Sequence, residues 1–269
     1  MMYWKVVYKT FLCLLVMYLF VVTLLYFMQT KLMYWPANFK PDAKVQGIPQ
    51  LEEIKVTTSD GLTLYGWYKP PFTSEMPTIV WFHGNSSNVV YTTSEAIPYM
   101  TKGYGLLAVE YRGYGGNPGI PTEQGIYNDA RAFMEWLNAE GTPANKTIIY
   151  GQSIGSGPAV QMATEYNVQT LILHSAFSSA IDAASVHYPY FPVKWLLQDK
   201  YENILKIEKT RSPLIMVHGD KDSVIPYNLG NKLFEKAPQP KTFITIEGGN
   251  HNNLYDFKVH EKILSALSE

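Results

Sequence analysis

The run Gly151-Gln152-Ser153-Ile154-Gly155 sets one hydroxyl between two glycines, directly behind the apolar stretch Thr147-Ile148-Ile149-Tyr150. A serine serves as a nucleophile when a tight strand-to-helix turn exposes its Oγ, which requires flanking positions small enough for the backbone to fold closely. Gly151 and Gly155 meet that requirement, and Gly157 keeps the following turn open. A chemically idle βα turn could show the same pentapeptide, so its partners decide. Leu214-Ile215-Met216-Val217 opens into His218-Gly219-Asp220-Lys221-Asp222, where a carboxylate could orient an imidazole. Thr242-Phe243-Ile244-Thr245-Ile246 then opens into Glu247-Gly248-Gly249-Asn250-His251-Asn252. Hydroxyl, carboxylate and imidazole, each on a loop after a strand, are the parts of covalent acyl transfer.

Together with Trp81-Phe82-His83-Gly84-Asn85 and Glu110-Tyr111-Arg112-Gly113-Tyr114-Gly115, these motifs resemble the α/β-hydrolase superfamily, specifically its membrane-anchored serine hydrolases of the abhydrolase-domain type. The resemblance runs from about Leu51 to the C-terminus. It implies Ser153 as nucleophile, His251 as general base and acid, and Asp222 as the residue that orients the imidazole. The family pattern places the acid at the later of two aspartates, leaving Asp220 to order its loop through turn bonds. It also implies an oxyanion hole of two backbone N–H groups, at Ile154 after the nucleophile and at Asn85 in the loop after an earlier strand. His83 precedes the nucleophile, against the expected order, and reads as a turn residue bonded to backbone. Members of the group cleave fatty acyl thioesters on membrane proteins or act as esterases and lipases. The expected activity is therefore hydrolysis of acyl esters or thioesters, with no cofactor. A noncatalytic α/β-hydrolase-fold protein that binds a lipid or partner, or a serine peptidase, is the alternative.

The elements that must position these residues read as a hairpin followed by alternating strands and helices. Ile54–Thr57 and Leu62–Trp67 flank Ser59-Asp60-Gly61, a good turn. Apolar strand segments at Pro77–Phe82, Leu106–Glu110, Ile148–Tyr150, Leu171–Leu173, Leu214–Val217 and Thr242–Ile246 alternate with helical stretches at Ser94–Thr101, Glu123–Asn138 and from Ser153. Such alternation predicts a mostly parallel sheet with crossover helices. Within Glu123–Asn138, Ile126, Ala130, Phe133, Met134 and Leu137 recur at helical spacing and form one apolar face. Residues 176–211, between the sixth and seventh strands, form a short cap whose cluster His187-Tyr188-Pro189-Tyr190-Phe191-Pro192 with Trp195 could wall an acyl chain, lie on a bilayer or fill a small core. Arg112 reads as a loop-ordering guanidinium and Asp129 as the structural partner of such a group.

The N-terminus carries a second signal. Phe11–Met28 contains no charge and is long enough to span a hydrocarbon core as a helix. Tyr3 and Trp4 before it and Tyr34 and Trp35 after it would lie about 45 Å apart on one helix, as interfacial anchors do. Lys5 and Lys9 also suit a signal peptide, but Met28-Gln29-Thr30-Lys31-Leu32-Met33 offers no small-residue cleavage site. The plan is therefore an anchor with flanks (1–35), a linker rich in proline (36–50) and an α/β-hydrolase domain (51–269). Resemblance to signal-anchored members places that domain on the extracytoplasmic or lumenal side. A net charge of −1 provides no basic field for nucleic acid, and the single cysteine, Cys13, excludes an intrachain disulfide. No H-E-x-x-H motif or paired cysteine set marks a metal site.

Overall fold

The computed structural model describes residues 2–37 and 39–268 of the protein; Met1, Asn38 and Glu269, which fall within the three segments expected above, lie outside the described residues. The strands are β1 (Glu52–Thr57), β2 (Thr63–Lys69), β3 (Thr78–Phe82), β4 (Gly105–Val109), β5 (Thr147–Gln152), β6 (Thr170–His174), β7 (Leu214–Gly219) and β8 (Lys241–Ile246). They form one sheet in the order β1-β2-β4-β3-β5-β6-β7-β8. β1 pairs antiparallel with β2, Thr57 facing Thr63 across the expected turn, and β2 pairs antiparallel with β4. From β4 to β8 all pairs are parallel. Parallel strands are buried on both faces, and β3, β4 and β6 are buried at every position.

The α-helices are α1 (Met2–Met33), α2 (Val89–Met100), α3 (Glu123–Ala139), α4 (Ser156–Glu165), α5 (Ala180–His187), α6 (Val193–Leu196), α7 (Tyr227–Lys236) and α8 (Val259–Leu267). One apolar cluster joins α3, α4 and α7 to one face of the sheet through residues such as Phe133, Val160 and Leu233. A second joins α2 and α8 to the other face, through Tyr99, Trp81, Tyr150 and Ile263. This is the α/β-hydrolase architecture expected from the sequence, with helices on both faces. α2 starts five residues before the expected Ser94. Its cap lies outside the apolar pattern: Asn88 Oδ1 accepts from the amides of Val90 and Tyr91, and Glu110 Oε2, at the end of β4, accepts from Val89 N.

Strand order reverses between β3 and β5, because the chain passes from β3 to β4 on one side and returns to β5 on the other. Such a switch point opens a crevice beyond the C-terminal ends of the strands. Phe82 lies opposite both Gly151 and Val109, so the loops after β3, β4 and β5 leave the sheet side by side. β7 and β8 end level with one another, Gly219 facing Ile246, which brings their loops together as well.

α1 is long, apolar and exposed over most of its length. Its C-terminal end instead docks on the α/β unit. Tyr34 is only 3% exposed; its hydroxyl donates to Asp199 Oδ2 and lies 2.9 Å from Tyr201 Oη. Tyr34 is thus a packing residue and not the interfacial anchor that its spacing suggested, whereas Trp35 stays exposed. The reason lies far along the chain, in cap residues that sequence spacing does not connect to position 34.

Candidate active site

Ser153 sits at the tip of the turn between β5 and α4 with φ of 52°, a left-handed conformation that a residue with a Cβ adopts only under constraint. The neighbouring glycines explain why the turn closes so tightly. A Cβ on Gly155 would collide with the carbonyl oxygens of Phe82 and His83, and one on Gly151 with Ala159 and the Gly155 carbonyl. Gly157 makes room for the ring of Tyr201. The elbow therefore rests directly on the end of β3.

The loop after β8 brings His251 Nε2 to 3.0 Å from Ser153 Oγ, and His251 Nδ1 lies 2.7 Å from Asp222 Oδ2. Asp222 Oδ1 accepts from the amides of Val224 and Ile225, so the carboxylate is held at both oxygens. Burial alone would raise its pKa, but hydrogen bonds from His218 and His251 and the Ile225 amide outweigh burial and hold the carboxyl below the usual carboxylate range. An ionised Asp222 favours the tautomer of His251 with its proton on Nδ1, which leaves Nε2 able to accept a hydrogen bond from the Ser153 hydroxyl. Asp220 points elsewhere: its Oδ1 accepts from Gly248 N and ties the β7 loop to the β8 loop. The expected division of labour is altered in one respect, since the local turn bonds are made by Asp222 and not by Asp220.

Sequence reasoning passed over two supports of this line. His218 Nε2, fully buried, lies 2.8 Å from the Ile225 carbonyl and 3.3 Å from Asp222 Oδ2. Asn250 Oδ1 accepts from His251 N and Ser223 N, locking the imidazole loop to the carboxylate loop. The side-chain amide next to the histidine was the available signal, because such groups bond backbone at turns.

Beside Ser153, the loop Gly84-Asn85-Ser86 follows β3 and lines the same cavity as Ile154. The Ile154 amide belongs to the first residues of a helical turn, Ser153–Gly155, whose N–H groups lack intrahelical partners. Among the described residues, the Asn85 amide donates to no protein acceptor. The Asn85 side chain is heavily engaged: Oδ1 accepts from Trp35 N (2.8 Å) and the Tyr114 hydroxyl (2.8 Å), and Nδ2 donates to the Met33 carbonyl (2.6 Å). The end of α1 is thereby fastened to the loop next to the serine. Beneath it, His83 is fully buried, with Nδ1 2.8 Å from the Gly84 carbonyl and Nε2 3.1 Å from Glu110 Oε1. Each ring nitrogen faces an oxygen, which makes His83 a loop support, as its place before the serine implied. Arg112 is likewise structural, forked onto Asp60 and bonded to the buried Asp129.

The cavity over Ser153 has a volume of about 660 Å³. Its apolar lining includes Met33 from α1, Phe177, Ala180 and Ala184 from the cap and Ile225 from the loop after β7. Its polar lining includes Glu95 from α2, Gln152 and His174 at the ends of β5 and β6, Asn252 from the loop after β8 and His187 from the cap. Burial raises the Glu95 carboxyl to about 7, against weaker opposing hydrogen bonds. Burial also lowers His174 to about 3, keeping its imidazole neutral, with Nδ1 2.8 Å from the Tyr150 hydroxyl. Among the described residues, no group of three or more His, Cys, Asp or Glu side chains converges as a metal site requires.

Comparison with known proteins agrees with the geometry. Residues 77–197 match the profile of the alpha/beta hydrolase fold family. The chain is 33% identical over 235 residues to an uncharacterized protein of Mycobacterium tuberculosis, covering 87% of this chain and 84% of that one. It is 34% identical over 196 residues to alpha/beta hydrolase domain-containing protein 17B of Homo sapiens, covering 71% of this chain and 65% of that protein. The solved structure of the Pyrococcus furiosus esterase Pf2001 superposes with a TM-score of 0.70 at 17% identity, covering 87% of this chain and 97% of the esterase. Fold, elbow and sequence relatives agree: the chain belongs to the α/β-hydrolase superfamily.

Proposed function

We propose that the protein is a serine hydrolase that cleaves carboxylic acyl esters or thioesters at a membrane. The observation that carries this reading is the continuous line Ser153 Oγ, His251 Nε2 and Nδ1, Asp222 Oδ2, with contacts of 3.0 and 2.7 Å. Ser153 Oγ attacks the acyl carbon while His251 Nε2 takes its proton, and Asp222 stabilises the imidazolium. The carbonyl oxygen becomes an oxyanion facing the amides of Ile154 and Asn85. As the intermediate collapses, the bond to the leaving oxygen or sulfur breaks and His251 returns the proton to it. Water, deprotonated by the same imidazole, then releases the acid and restores Ser153. The apolar helix α1 is the membrane anchor, and the catalytic domain lies on the extracytoplasmic or lumenal side, as the resemblance to signal-anchored members implies.

The test is fluorophosphonate labelling of full-length protein, together with ester turnover. Wild type is expected to label at Ser153. Ser153→Ala is expected to lose the label and about four to six orders of magnitude in kcat while remaining folded. Asp222→Asn is expected to lose most activity and Asp220→Asn little. Labelling that survives in folded Ser153→Ala would move the nucleophile elsewhere, and near wild-type activity of Asp222→Asn would remove Asp222 from its role.

A further inference from the structure

A second cavity, of about 200 Å³, lies between α1 and the cap. Leu25, Leu32 and Met33 form its helix side, and Phe191, Leu196 and Leu197 form much of its cap side. Its one amide side chain, Gln29, is held by backbone: Nε2 donates to the carbonyls of Tyr26 and Leu196, and Oε1 accepts from Gln198 N. The groove therefore offers a ligand little besides apolar surface. Met33 and Ala184 line both this groove and the cavity over Ser153, so the two volumes adjoin at these side chains. Both are apolar members of the lining of the Ser153 cavity, which also carries Glu95, Gln152 and His174.

The depth of the groove follows from where α1 meets the cap. Among the described residues, the first hydrogen bond between them joins the Tyr18 hydroxyl to the Tyr190 carbonyl, and the Tyr18 and Phe191 rings stack with centroids 5.9 Å apart. The uncharged stretch of α1 begins only after Lys9, and residues 10–17 before that contact extend about 12 Å as helix, less than the roughly 30 Å of a hydrocarbon core. A span must therefore include residues beyond Tyr18, which carries the cap tip into the near leaflet. Tyr190 and Trp195, 85% and 82% exposed, suit that position.

We infer that the groove between α1 and the cap admits the acyl chain of a membrane lipid ester from the near leaflet and leads it past Met33 and Ala184 to Ser153. The inference rests on the serine-hydrolase reading and adds its substrate class: a long acyl chain in the groove, with the polar leaving group on the α2 side. α1 is then part of the substrate site as well as the anchor.

The experiment measures kcat/KM for butanoyl, octanoyl, dodecanoyl and hexadecanoyl glycerol esters with full-length protein in lipid nanodiscs. Wild type is expected to favour hexadecanoyl over butanoyl ester by about tenfold or more. Ala184→Phe fills the meeting point of the two cavities, and Leu196→Trp fills the groove alone. Each is expected to lower the hexadecanoyl-to-butanoyl ratio by about tenfold. A loss of folded protein would lower both esters in proportion and leave the ratio intact. A hexadecyl fluorophosphonate with a terminal diazirine supplies a second readout, expected to crosslink to residues 25–32 or 191–197. Rates independent of chain length, ratios unaltered in both variants, as for a groove that binds a hydrophobic peptide, or crosslinks on α2 would overturn the channel and leave the serine hydrolase standing. No labelling and no turnover with any ester would overturn that reading and the inference with it.

Discussion

Asn85→Ala separates a backbone role from a side-chain role at one position. The substitution keeps the amide proposed for the oxyanion hole and removes the bonds to Trp35 N, Met33 O and the Tyr114 hydroxyl. The bond to Trp35 is exposed, so water replaces it at little cost. Those to Met33 and Tyr114 are partly buried, and at about 1 kcal/mol each they hold the loop with about 2 kcal/mol. If that energy is what keeps the amide pointed at the oxyanion, its loss lowers the occupancy of the competent loop by up to about 30-fold. That is below the hundredfold or more expected when an oxyanion donor is removed outright. Initial rates on a short ester are therefore expected to show kcat falling about 10- to 30-fold, with fluorophosphonate labelling slowed in step. Tm should fall by about 4 to 8 °C. A variant that melts lower but keeps kcat within twofold of wild type would refute the reasoning: the side chain would then stabilise the junction with α1 without positioning the amide.

Two further outcomes follow from charged groups. Glu95 is raised by burial to about 7 from an ordinary 4.5, so the folded protein binds its proton more tightly than the unfolded chain. The stability it contributes is present in full below pH 4.5 and is lost as pH rises through 7, a fall of about 3 kcal/mol. Denaturation of Glu95→Gln is expected to lack that fall, and parallel wild-type and variant curves between pH 4.5 and 8 would refute the assignment. Arg112→Met strands the buried Asp129 carboxylate and frees Asp60, so urea denaturation should show a loss of about 3 to 5 kcal/mol, with KM of the remaining folded enzyme unchanged. An altered KM with unaltered stability would instead place Arg112 at the substrate.

The parts of the site that were legible in the sequence are those written in local chemistry. Ser153, Asp222 and His251 each follow a short apolar run and sit among glycines, so strand, turn and reactive group can be read within ten residues of one another. The hairpin at Ser59-Asp60-Gly61 and the apolar face of α3 are local in the same sense. What the sequence concealed depends on strand order. β3 and β4 exchange places in the sheet, and that exchange sets Glu110 beneath His83 and against the first amide of α2. Neither the early start of α2 nor the second imidazole beside Asp222 is visible to periodicity, because both are fixed by partners on other elements.

The same limit explains Tyr34, and it changes how the N-terminal helix is understood. By composition α1 is an appendage, an apolar helix followed by a proline-bearing linker. In the fold its last residue and the two that follow contribute the Met33 carbonyl to Asn85, the Trp35 amide to the same side chain and the Tyr34 hydroxyl to Asp199. Asp199 also accepts from Glu123 N at the start of α3, and Glu123 Oε2 accepts from the amides of Lys200 and Tyr201. The ring of Tyr201 in turn occupies the space that Gly157 leaves open behind Ser153. A continuous set of contacts thus runs from the end of α1 through the cap to the elbow, and a second runs through Asn85 to the loop beside Ser153. A helix that served only to tether the enzyme would need neither. Both are what a helix requires if it forms one wall of the path by which an acyl chain reaches the serine.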